Sequence, residues 1–101
     1  MRQVIVNGQV ISEQEALKRA GAVRLGFTWL GGHAYKVASE SQPGWTYRVV
    51  AAYGEARCSC RAGRDGRVCK HGCMLALLTL EDRPVKSEAA LRWLQAVTEN
   101  A

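Results

Sequence analysis

Three cysteines and one histidine stand within fourteen residues of this chain, as Cys58-Ser59-Cys60, eight intervening residues, and Cys69-Lys70-His71. Nothing else in the sequence restricts the fold as strongly. Thiolate and imidazole are the ligands zinc prefers, and four of them complete a closed tetrahedral shell, the arrangement of structural sites. Side chains two apart on a strand project to one face, so Cys58 and Cys60 can reach one ion from a strand. Two apart on a regular helix they diverge, so Cys69 belongs at or just before the first turn of a helix, with His71 inside that turn. The ion would then tie the end of a sheet to the start of a helix. Two blander readings compete. Buried cysteines are often inert core residues, and a pair could form a disulfide in an exported protein. The density of ligand types in so short a stretch weighs against the first. The run Met1-Arg2-Gln3-Val4-Ile5-Val6-Asn7-Gly8 lacks the long apolar stretch of a secretory leader, which predicts a cytoplasmic, reducing setting. The spacing therefore predicts one structural Zn²⁺ on Cys58, Cys60, Cys69 and His71. Cys73 reads as a small core residue, with replacement of His71 as its alternative. His33 reads as a partly solvated strand or turn residue.

The surrounding pattern predicts an α+β fold. Val4-Ile5-Val6 and Gln9-Val10-Ile11 flank Asn7-Gly8, a pair that supplies the positive φ angles of a two-residue hairpin turn. Ser12 with Glu15 forms a capping box for a helix near 13–20, which places Ala16, Leu17 and Ala20 on one face and stops near Gly21. Val23, Leu25, Phe27 and Trp29 alternate as in a strand. After the break at Gly31-Gly32, His33 to Ser39 and Trp45 to Ala51 read as paired strands around Ser41-Gln42-Pro43-Gly44. Residues 61–67 read as a loop. Met74, Leu75, Leu77, Leu78 and Leu80 cover most of a helix near 70–80, which makes it the central buried one. Glu81-Asp82-Arg83-Pro84 ends that pattern. Ser87 opens a last helix near 88–98, with Ala90, Leu91, Leu94 and Val97 facing the core. Antiparallel strands are expected over 3–11 and 24–58. Most of the aromatics (Trp29, Trp45, Trp93, Tyr35, Tyr47 and Tyr53) fall on faces assigned to the core. A chain of 101 residues makes one compact domain, and its longest strongly apolar run, Cys73 to Leu80, is far short of a membrane span.

Tyr47-Arg48-Val49, Cys58-Ser59-Cys60 and Cys69-Lys70-His71 before an apolar helix together resemble the SWIM-type zinc finger. That family places Cys-x-Cys, a variable gap and Cys-x-His on a short ββα unit. The resemblance covers about residues 45–80. It implies one zinc ion on Cys58, Cys60, Cys69 and His71, and binding to DNA or to other proteins. The expected architecture is antiparallel strands with a zinc-stapled ββα module, a hairpin–helix extension over about 1–34 and a C-terminal helix over about 87–99.

Charge points to the partner. Residues 57–70 hold Arg57, Arg61, Arg64, Arg67 and Lys70 against the single acid Asp65, a net of +4, whereas the other 87 residues carry nine bases and eight acids. Thiolates need some compensation, but one or two arginines would supply it. The rest is available to phosphates beside a helix N-terminus. These five residues are therefore the expected nucleic-acid contacts, with Arg64 and Arg67 as the cleanest probes. A solvated charged loop is the plainer reading. A protein-interaction adaptor for a transcription or recombination machine is the alternative function. Four ligands leave no open coordination position, and no nucleophile–base pair is visible, so an enzyme is not expected.

Overall fold

The computed structural model describes residues 2–21, 27–39 and 41–80. The expected C-terminal helix and the residues Val23, Leu25 and Trp93 lie outside them. Six strands form one sheet, with β1 Gln3–Val6, β2 Gln9–Ser12, β3 Phe27–Gly31, β4 Ala34–Ala38, β5 Thr46–Ala52 and β6 Glu55–Cys58. Their spatial order is β2-β1-β6-β5-β4-β3. Among the described residues three helices accompany them: α1 Glu13–Ala20, α2 Arg61–Arg64 and α3 Lys70–Leu78. The fold is α+β, with a sheet that is antiparallel except at one place.

Local chemistry explains most elements. Asn7 at φ 52° and Gly8 at φ 86° make the β1–β2 turn, which sets Val6 opposite Gln9. The Ser12 hydroxyl accepts from the Glu15 N–H at 3.1 Å and opens α1. Only half of the capping box forms there, since the Glu15 carboxylate turns to Arg19 at 3.0 Å. Helix α1 ends at Gly21, in right-handed rather than left-handed geometry. Tyr53 and Gly54, both at positive φ, turn β5 into β6.

One face of the sheet is the core. Val4 and Val6, Ala56 and Cys58, Val49 and Ala51, Tyr35 and Val37, and Phe27 point inward from five strands, as the period of two requires. Helix α3 packs on β1, β5 and β6, and α1 packs on α3. Ala16 and Ala20 are both buried and give α1 a small-residue face. Seven of the nine α3 residues are buried, so it is the central helix the apolar pattern predicted. Among the described residues, no helix is long and apolar enough to cross a membrane.

Three features depart from expectation. Strands β1 and β6 pair in parallel, Ile5 with Glu55 and Val6 with Ala56. A parallel pair needs a long crossover, which nothing local in the sequence marks. The N-terminal hairpin is thus built into the same sheet as the Cys-bearing strand. Residues 61–64, expected as loop, form the short helix α2, opened by Cys60. Trp45 and Tyr53, expected in the core, are exposed. Trp45 stands beyond the first residue of β5 and Tyr53 in the turn after its last, so alternation no longer buries them.

Candidate metal centre

Cys58 ends β6 with its side chain on the core face. Cys60 and Cys69 follow in extended backbone, and each is the N-cap of the next helix. His71 sits in the first turn of α3. Their four ligand atoms lie within 4.8 Å of one another, and all four residues are between 6% and 8% exposed. Bonds of about 2.3 Å to a tetrahedral ion put sulfurs roughly 3.8 Å apart, so small side-chain adjustments close the shell. Both ring nitrogens of His71 are buried with no hydrogen-bond partner among the described residues. A buried imidazole without partners is costly unless something else binds it, and a metal ion fits that need. The four residues are positioned to hold one metal ion.

The two capping cysteines repeat one device. Cys60 Sγ accepts from the Gly63 N–H at 3.4 Å, and Cys69 Sγ accepts from the Gly72 N–H at 3.3 Å. Both sequences read Cys-x-x-Gly, and sterics require each glycine. A Cβ on Gly63 would drive into the Cys58 carbonyl, and one on Gly72 would come within 2.6 Å of Val6 Cγ1. The recurrence of Cys-x-x-Gly was the sequence signal for these two positions, and reading the cysteines alone passes over it.

Asn7 is the other residue that sequence reasoning missed. It reads as a turn former, yet it is buried, and its side chain reaches the far end of the site. Its Oδ1 accepts from the Cys58 N–H at 2.8 Å. Its Nδ2 donates to the Arg67 carbonyl at 2.8 Å and to Cys69 Sγ at 3.4 Å. The parallel β1–β6 pairing makes this reach possible.

These donors act on the thiols. The Cys58 thiol donates to Cys69 and holds it well below the usual thiol range, opposed by burial and helped by the adjacent His71 ring and the N–H donors of Gly72 and Asn7. Cys58 is pushed up in return, first by that hydrogen bond and then by burial. Burial raises Cys60. Loading a metal therefore displaces protons from Cys58 and Cys60.

Cys73 lies outside the cluster. It is completely buried, and burial pushes its thiol up to about 12. The charge of Cys69 bears on it, and then those of Arg19 and Glu15 on α1, the helix that packs on α3. It is the inert core cysteine of the simpler reading. Cys73→Ala is expected to bind one metal ion per chain like the parent, measured by elemental analysis; a loss of metal would restore it as a ligand. His33 is exposed in the β3–β4 turn, away from the cluster.

The five basic residues divide. Arg61 and Arg64 belong to α2, Arg67 follows it, and Lys70 opens α3. Arg67 bridges to Asp65 at 3.2 Å, which leaves Arg64 the cleaner probe. Arg57 alternates with the buried Ala56 and Cys58, so it projects from the opposite, outer face of the sheet. There it joins Arg48 and Lys36, which sit directly opposite each other on β5 and β4.

Compared with known proteins, the chain matches no family model, no curated protein and no solved structure.

Proposed function

We propose that this chain is a SWIM-type zinc module that binds nucleic acid through the basic surface around its metal centre, and that it is not an enzyme. Three thiolates and one imidazole favour zinc over the harder ions, which take oxygen ligands. Four protein ligands leave no position for a water or substrate, so the ion's role is structural.

The observation that carries the nucleic-acid reading is the charge at the knuckle. Arg61 and Arg64 are exposed, Lys70 stands beside them at the start of α3, and the one acid of the segment is already bridged to Arg67. Arg61 and Arg64, both exposed, exceed the charge the thiolates need. Phosphates would take up that charge, and contact with them is independent of sequence. Arg64→Glu is expected to leave folding and metal content intact. It should weaken DNA or RNA binding and lower the slope of log affinity against log salt by about 0.7–0.9 for the lost contact. Titrations at several salt concentrations measure this. A parent protein that retains no nucleic acid at low salt refutes the reading.

A protein-interaction adaptor for a transcription or recombination machine is the second reading. It is favoured by Val10, Leu30 and Val50, exposed at 59%, 50% and 50%. A partner held through such apolar side chains would stay bound as salt rises, unlike one held through phosphates.

A further inference from the structure

We propose that Trp45 and the cleft beside the metal centre hold one unpaired base of a single-stranded nucleic acid. The base stacks on the indole, and its flanking phosphates meet Arg61 and Lys70. This rests on the nucleic-acid reading above and adds which form of nucleic acid is bound, and where.

Trp45 is 63% exposed, unusual for a residue type that is highly buried on average. Its side chain makes no hydrogen bond or ring contact among the described residues. Its backbone, by contrast, is fixed. The Trp45 N–H donates to the Gln42 carbonyl at 3.1 Å, and its carbonyl accepts from the Ser39 N–H at 2.9 Å. The Ser39 hydroxyl accepts from the Gln42 N–H at 3.1 Å and closes the turn. These hydrogen bonds anchor the backbone from which the large ring projects into solvent.

The register says where that ring lies. Ala38 pairs with Thr46, and the Ser39–Trp45 bond carries the ladder one step further. Residues directly opposite in an antiparallel pair project to the same face, with Cβ atoms about 4.5–5.5 Å apart. Trp45 is therefore the cross-strand neighbour of Ser39. Ser39 lines a cleft that opens onto the metal ligands Cys60, Cys69 and His71 and is flanked by Ser41, Tyr47, Arg61 and Lys70. Among the described residues its wall carries two cations and three hydroxyls. An aromatic platform beside cations is how sequence-tolerant single-strand binders work, because every base has a π-face. A duplex keeps its bases stacked inside and offers the indole nothing. An acidic peptide would satisfy the cations and leave the ring unused.

The test uses the metal-loaded chain and fluorescence anisotropy with labelled oligothymidylate, an abasic strand of the same length and a duplex. The parent is expected to prefer oligothymidylate to both other probes. Trp45→Ala should weaken oligothymidylate binding on the order of 10- to 100-fold, and Trp45→Phe should restore most of it. Affinity for the abasic strand should not change in Trp45→Ala, nor should the salt slope on oligothymidylate. Arg61→Gln should instead lower that slope by about 0.7. Because Trp45 is exposed, circular dichroism and metal content should match the parent. Undiminished oligothymidylate binding by Trp45→Ala, or equal affinity of the parent for oligothymidylate and duplex, overturns the base site and leaves the nucleic-acid reading standing. No retention of any probe by the parent overturns both.

Discussion

Chains carrying His71→Ala or Cys60→Ala are expected to hold no metal ion and to be largely unfolded at ambient temperature. The site links the end of β6, the start of α2 and the start of α3, so its binding free energy is also folding free energy. Structural zinc sites in small peptides contribute about 10–16 kcal/mol at neutral pH, while whole domains are stable by about 5–15 kcal/mol. Losing a ligand removes much of the first quantity and exceeds most of the second. The damage does not stop at the ion. The remaining sulfurs stay crowded and buried, and in His71→Ala the contact between the Tyr47 and His71 rings, 5.9 Å between centroids, is lost. His71→Cys keeps four ligands and should keep the metal. Elemental analysis and circular dichroism, with and without chelator, read the result. A parent chain that stays cooperatively folded after its metal is stripped would refute the claim.

Asn7→Ala should have the next largest effect, although Asn7 touches no metal ion directly. Three hydrogen bonds end with it, to the Cys58 N–H, the Arg67 carbonyl and Cys69 Sγ. An ordinary hydrogen bond contributes about 1 kcal/mol, and an orphaned buried N–H costs about 1–3 kcal/mol. Alanine at φ 52° adds roughly 1–2 kcal/mol of strain. A loss of about 3–5 kcal/mol follows, with metal affinity reduced about 10- to 100-fold, as for other partners that orient ligands. Asn7→Gly removes the bonds but not the backbone freedom, so it should recover only the strain. Denaturant midpoints and chelator competition separate these quantities. An Asn7→Ala midpoint within error of the parent would show that the bonds do not matter.

What the sequence disclosed was local. The Asn7-Gly8 turn, the Ser12 cap, the alternation of Tyr35 with Val37 and the placement of Cys69 and His71 at a helix start all follow from residues a few positions apart, and each is present. What stayed hidden was non-local or steric. Asn7 acts on partners 51 to 62 positions away, and no short-range pattern encodes such a distance. The parallel β1–β6 pair escaped for the same reason. Gly63 and Gly72 looked like loop and helix-start residues, because their importance lies in atoms they lack. Helix α2 was obscured by Gly63, a poor helix former. Alternation assigned Trp45 to the correct face and could not show that the cover ends before it.

The parallel pairing also dictates an order of events as the chain is made. The β1–β2 hairpin emerges first, but β6 follows about fifty residues later, so its inner edge must wait. The ligands, by contrast, span only residues 58–71. Closing the longer loop costs roughly 1 kcal/mol more entropy than closing the shorter one, and contacts so distant in sequence form slowly. A metal ion held at the knuckle would therefore be captured early, and docking of the hairpin, which brings Asn7 to it, would come late. A cell short of the metal would accumulate nascent chains with an unpaired strand edge, the kind of surface that drives aggregation.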